Sequence, residues 1–114
     1  MFKKVAFASL YGTEVDQHFG MADMFYIYEI DGAKAALLQK RRFERNAHRC
    51  HNDENFAKAY ELLKDCDAVF TAKIGQSAAD YLIKKNLRVF EINAKITQVL
   101  DSIIEENNKE KTNG

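Results

Sequence analysis

From Ala68 onward the chain alternates short apolar runs with stretches of helical period, and this alternation restricts the fold more than any other feature. Ala68–Ala72 and Leu87–Ile92 read as strands. Between them Gln76–Lys85 reads as a helix, with Asn86 as a left-handed cap after it. A last helix follows, capped by Asn93, with Ile96, Val99, Leu100, Ile103 and Ile104 on one face. Strands separated by helices pair in parallel through right-handed crossovers, so this half predicts an α/β domain.

The first half is a meander. Val5–Leu10 and Met24–Ile30 read as strands, separated by a polar loop, Tyr11–Gly20. Asp31-Gly32 is a hairpin signal because both residues tolerate positive φ, and Ala35–Phe43 is then an antiparallel third strand. After Asn46–Asn52, a helix capped by Asn52 carries Phe56, Ala59, Tyr60 and Leu63 at helical spacing, with Asp53 and Glu54 at its positive end. The predicted order is β-β-β-α-β-α-β-α: one three-layer α/β domain with a mixed five-stranded sheet over residues 1–106, then a polar, frayed tail over 107–114.

Charge and cysteine content exclude several function classes. The 17 basic and 17 acidic residues balance, so nucleic acid is not an expected partner. Lys40-Arg41-Arg42 is a local basic run, either a solvated strand end or a docking patch for an acidic partner. Cys50 and Cys66 form no C-x-x-C pair, which argues against a zinc knuckle or a thioredoxin motif. No apolar run approaches the roughly 20 residues of a membrane helix. Met1–Leu10 lacks a long apolar region followed by a cleavage site, so the cytoplasm is the expected compartment and no membrane partner is expected.

Following strand directions from the first strand brings three connections to one edge of the sheet: Tyr11–Gly20, Asn46–Asn52 and Lys73–Gln76. Ligands bind outside the carboxyl ends of strands in such sheets. These connections carry Asp16 and His18; His48, Cys50 and His51; and Lys73 and Gly75 ahead of a helix N-terminus. Thiolate and imidazole suit soft or borderline metals. A helix N-terminus, a lysine and a glycine suit a bulky anion. The set therefore fits a preformed, negatively charged cluster better than a bare divalent ion. His18, Cys50, His51, Lys73 and Gly75 are the cofactor-binding candidates, with His18 and Cys50 as metal ligands. The alternatives are a loop-ordering role for His18, an ordinary solvated loop for Cys50 and His51, and a ligand-free helix entry at Lys73 and Gly75. Asp16 reads as a loop-turning residue, and Cys66 as a small buried hydrophobe.

The segment Val15-Asp16-Gln17-His18-Phe19-Gly20-Met21-Ala22, followed by Phe25-Tyr26-Ile27-Tyr28-Glu29, resembles the opening of the dinitrogenase iron–molybdenum cofactor biosynthesis family, the NifX-like group also found as the C-terminal domain of NifB. Leu62–Val69 and Ala72-Lys73-Ile74-Gly75 are similar to its second motif, and the likeness runs to about Ile104. The resemblance implies a ribonuclease H-like topology and binding or carriage of iron–molybdenum cofactor or a related metal–sulfur cluster. It also implies cofactor-assembly or acceptor proteins as partners, and His18 as the first ligand.

The expected function is a small carrier for an anionic metal–sulfur cofactor, in assembly or delivery. The alternative is a protein-interaction or regulatory module of the same fold without cofactor. An enzyme is not expected. A nuclease needs clustered carboxylates; Val5–Leu10 has none, and Asp65 and Asp67 fall at the opposite edge from Asp16. A Cys50–His18 nucleophile pair would lack an evident orienting third residue.

Overall fold

The computed structural model describes residues 1–44 and 52–113. Strands β1 (Lys4–Ala8), β2 (Met24–Asp31), β3 (Lys34–Arg42), β4 (Ala68–Thr71) and β5 (Arg88–Glu91) form one sheet in the order β3-β2-β1-β4-β5. β1 pairs in parallel with β4, and β4 with β5, while β2 is antiparallel to both β1 and β3. Helices α1 (Asn52–Leu63), α2 (Gln76–Lys84) and α3 (Ile96–Asn113) complete the described elements, in the order the sequence predicts.

The period of two in the strands builds two cores. Ala6 and Ala8 of β1, Phe25 and Ile27 of β2 and Val69 of β4 pack with Ala59 and Leu63 of α1 and Ala78 and Leu82 of α2. Val5 and Phe7, Tyr26, Ala68 and Phe70 pack on the other face with Ile96, Val99, Leu100 and Ile103 of α3. A row of rings crosses that second face. Phe70 stacks on Phe7 at 5.2 Å and on Phe90 at 4.9 Å, and Phe7 meets Tyr28 edge-on at 5.6 Å.

Asp31 pairs with Lys34, so the hairpin loop is Gly32-Ala33, with Gly32 at φ +62°. The β2–β3 register shifts between Ile27 and Tyr28, which pair with Gln39 and Leu37 and leave Leu38 as a bulge. Asn86 takes φ +70° after α2, as the sequence indicates, and Leu87 N–H donates to the Leu82 carbonyl at 3.1 Å.

Two helix ends differ from the sequence reading. Asn93 does not cap α3, which begins at Ile96. The Lys95 carbonyl accepts from Gln98 and Val99 N–H, and the Gln98 side chain accepts from Lys95 N–H at 3.2 Å. Pairing of Ala94 and Lys95 with the β1–β2 connection delays the helix start. The segment after Asn107, read as a frayed tail, is helical through Asn113. Asn107 is buried because its carboxamide accepts from Phe2 N–H at 3.0 Å and donates to the Phe2 carbonyl at 2.9 Å.

Candidate functional site

The β1–β2 connection lies across the C-terminal ends of the parallel strands. Its first turn is set locally. Gly12 N–H donates to Ser9 Oγ at 2.9 Å, and Leu10 N–H donates to Asp16 Oδ1 at 3.0 Å, so Asp16 serves the loop-turning role. Gly12 sits at φ +85° directly against the Tyr26 ring. The middle of the connection joins the β5–α3 turn: Val15 N–H donates to the Ala94 carbonyl at 2.9 Å, and Ile96 N–H to the Thr13 carbonyl at 3.0 Å. Its second half joins the β4–α2 turn. Ala72 N–H donates to the Gln17 carbonyl at 3.0 Å, and Phe19 N–H to the Lys73 carbonyl at 2.8 Å, which makes a parallel bridge between His18 and Lys73.

Alternation along this extended piece decides which side chains face solvent. Phe19 is buried against Phe25, at 6.1 Å between ring centroids, so His18 before it is exposed. The His18 carbonyl then accepts from both Met21 and Ala22 N–H at 2.9 Å, which turns the chain into β2. His18, read from the sequence as belonging to the same rim as Lys73 and Gly75, is thus placed next to Lys73 by main-chain hydrogen bonds.

Lys73 is exposed, and Ile74 N–H donates to Glu91 Oε2 at 2.9 Å. Gly75 precedes α2 at φ −70° and ψ 155°, an ordinary extended conformation, so no strain calls for glycine there. A Cβ at Gly75 would meet nothing within 4 Å. Gly75, the N-cap of α2, has no side chain to cap it, and the first turn holds no acidic residue, so the N–H groups and positive dipole end are not countered from within the helix.

Cys50 and His51, together with His48, lie outside the described residues. His18 is the one imidazole among the described residues, where no three His, Cys, Asp or Glu side chains gather as a metal site. Cys66 is buried at the opposite edge, as the sequence suggests. Burial, with the charge of Asp65 beside it, pushes its thiol up to about 12, so it stays protonated near neutral pH. Asp67 is occupied by Lys3 and Lys4 N–H at 2.7 and 3.0 Å. Within the basic run, Arg41 turns inward to Asp65 and Lys40 lies over the Tyr26 ring at 5.7 Å.

Sequence reasoning missed the β5–α3 turn, with Ala94 and Lys95, as a fourth connection on this rim. Carrying the count of strand directions through β5 would have found it. It also missed Thr71, which ends β4 under the rim with a fully buried hydroxyl that has no hydrogen-bond partner among the described residues. No sequence signal marks that position.

A donor set of one exposed imidazole, one ammonium and free helix amides suits an anion that brings its own inner coordination. Among the described residues it is too sparse to assemble a bare metal ion. No helix among the described residues is long and apolar enough to cross a membrane.

Solved structures share the fold. The crystal structure of PH0822 superposes with a TM-score of 0.70 at 20% identity, covering 90% of this chain and 91% of that one. A crystal structure of a dinitrogenase-like protein from Methanocaldococcus jannaschii superposes at 0.63 and 14% identity, covering 93% and 91%. In sequence, the chain is 39% identical over 79 residues to the FeMo cofactor biosynthesis protein NifB of Klebsiella pneumoniae, covering 64% of this chain and 17% of that protein. It is 30% identical over 102 residues to NifX of Azotobacter vinelandii, covering 88% and 64%. The chain thus spans less than two thirds of either relative. The family model described as dinitrogenase iron-molybdenum cofactor matches residues 1–106, nearly the whole chain, and the protein therefore belongs to that family.

Proposed function

We propose that the protein is a small, non-enzymatic binding or carrier protein for an anionic metal–sulfur cluster, acting in iron–molybdenum cofactor biosynthesis or delivery. The observation that supports this best is the bridge that sets His18 beside Lys73, one turn of chain from the open N-terminus of α2. His18 would donate a ring nitrogen to an exposed metal of the cargo. Lys73 and the first amides of α2 would offset the cluster's negative charge, and the space over Gly75 would admit its bulk. Cys50 and His51 would add donors from the β3–α1 connection. Few ligands at an exposed rim favour release to an acceptor or assembly protein. The strand order, with one antiparallel strand inside an otherwise parallel core, is read as the ribonuclease H-like topology.

A direct test is anaerobic incubation of the protein with isolated iron–molybdenum cofactor, and separately with tetrathiomolybdate, followed by desalting and visible absorption. Wild type should retain colour and metal, and His18→Ala should lose most of both. Equal retention by the two proteins would overturn the role of His18.

A second reading, a protein-interaction or regulatory module without cargo, has its own support. Leu10, Tyr11 and Met21 flank His18 on the same connection and are 52%, 79% and 70% exposed. A protein that stays metal-free when produced anaerobically with iron and molybdate would favour that reading.

A further inference from the structure

A second cavity, away from His18, Lys73 and Gly75, lies between α3 and β5. α3 rests its buried residues on β1 and β4, and this leaves the same face of β5 uncovered: Phe90 and Ile92 are 37% and 38% exposed. The space that remains is a cavity of about 450 Å³, walled by Phe2, Phe70, Phe90, Ile92, Val99 and Ile103. That volume lies within the roughly 300–1,000 Å³ of small-molecule pockets, and aromatic walls with few polar groups are typical of them.

The polar groups around the cavity are almost all engaged. Asn107 uses its carboxamide on Phe2, and Gln98 accepts from Lys95 N–H. Glu110 pairs with the Met1 ammonium at 2.7 Å, and Glu106 with Lys109 at 3.4 Å. Arg88 differs. Its guanidinium lies over the Phe2 ring at 6.0 Å and meets no carboxylate among the described residues. A guanidinium held against an aromatic wall keeps its donors for an incoming anion.

We infer that this cavity binds a small anionic amphiphile, an aromatic body seated on Phe70 and Phe90 with one carboxylate or sulfonate on Arg88. The cavity shares no residue with the cluster candidates, which lie on the β1–β2, β3–α1 and β4–α2 connections, so either proposal can fail alone.

The test uses the full chain and two fluorescent probes with the same rings: anilinonaphthalene sulfonate, and phenylnaphthylamine, which lacks the sulfonate. Saturable binding is expected, with amide NMR shifts confined to Phe90, Ile92, Ser102 and their neighbours. The sulfonate should bind about tenfold more tightly than the neutral probe, the size of one charge-assisted hydrogen bond. Arg88→Gln should remove that preference, and Ser102→Phe, which fills the cavity from the flank of α3 that lines it, should block both probes while the thermal unfolding curve stays close to wild type. Absence of saturable binding, shifts elsewhere, or a preference that survives Arg88→Gln would overturn the inference. So would concentration-dependent self-association that moves the same amides, because a second copy would then occupy this face.

Discussion

Arg41 and Asp65 meet in a two-pronged ion pair, with Nη1 on Oδ1 at 2.6 Å and Nη2 on Oδ2 at 2.7 Å. Arg41 Nη1 also donates to the Leu62 carbonyl at 2.7 Å, and Lys4 Nζ reaches Asp65 at 3.2 Å. The cluster ties β3 and β1 to the C-terminal end of α1, which places a residue of an apparently solvated basic run inside the fold's framework.

The hydrogen bonds from Arg41, helped by Lys4, hold the Asp65 carboxyl well below the usual carboxylate range against the opposing effect of burial. A depressed folded-state value means the pair's contribution is fully present above the unfolded value, near pH ~4, and is lost as pH falls below it. Asp65→Asn should lower stability by about 1 kcal/mol near neutral pH, a figure reduced for the exposure of the carboxylate. It should also flatten the acid limb below pH ~4. Urea unfolding across pH measures both, and an acid limb that overlays wild type would contradict the assignment.

Thr71 presents the opposite case, a buried hydroxyl with no partner among the described residues. Thr71→Val keeps the shape and removes the desolvated group, so it should raise stability by about 1 kcal/mol. A destabilised variant in chemical denaturation would reveal a hydrogen bond at this position.

A Cβ at Gly12 would lie 2.6 Å from the Tyr26 ring, at a φ that side chains rarely adopt. Gly12→Ala should cost about 2 kcal/mol through both effects. Pairing it with Tyr26→Leu should recover the steric part alone, so the double-mutant cycle should show coupling of about 1 kcal/mol. Additive losses would place the strain elsewhere.

His18 is exposed, and its structural contacts are made by its main chain. His18→Ala should therefore change stability by less than about 0.5 kcal/mol while removing cargo uptake. Lys73→Ala should weaken uptake more at low than at high ionic strength, as expected for a screened point charge. A large loss of stability in His18→Ala would assign the imidazole to the loop instead.

Asn107 joins the N-terminal segment to α3 through two hydrogen bonds with Phe2. Asn107→Ala should cost about 1–2 kcal/mol and raise amide exchange at Phe2 and Lys3. Unchanged exchange at Phe2 would show that the segment is held by other contacts.

Much of the architecture was legible in the order of residues because its signals are local. Alternating burial in β1 and β2, the Gly32 hairpin and the Asn86 cap each depend on a few neighbours in the chain. Strand directions followed from that order, and they sufficed to bring His18 and Lys73 to one rim. The start of α3 was misread because Lys95 becomes its cap through pairing with residues some 80 positions earlier, near Glu14.

The amino-acid sequence by itself determined the element order, the sheet's mixed character and the rim that His18 and Lys73 share. Those outcomes follow from periodicity and turn chemistry. Tertiary structure alone decided that Arg41 faces inward to Asp65, that the Thr71 hydroxyl is buried without a partner among the described residues, and that α3 leaves Phe90 and Ile92 uncovered beside Arg88. Each of these depends on the distance and angle between elements far apart in the chain, and local propensity carries no information about them.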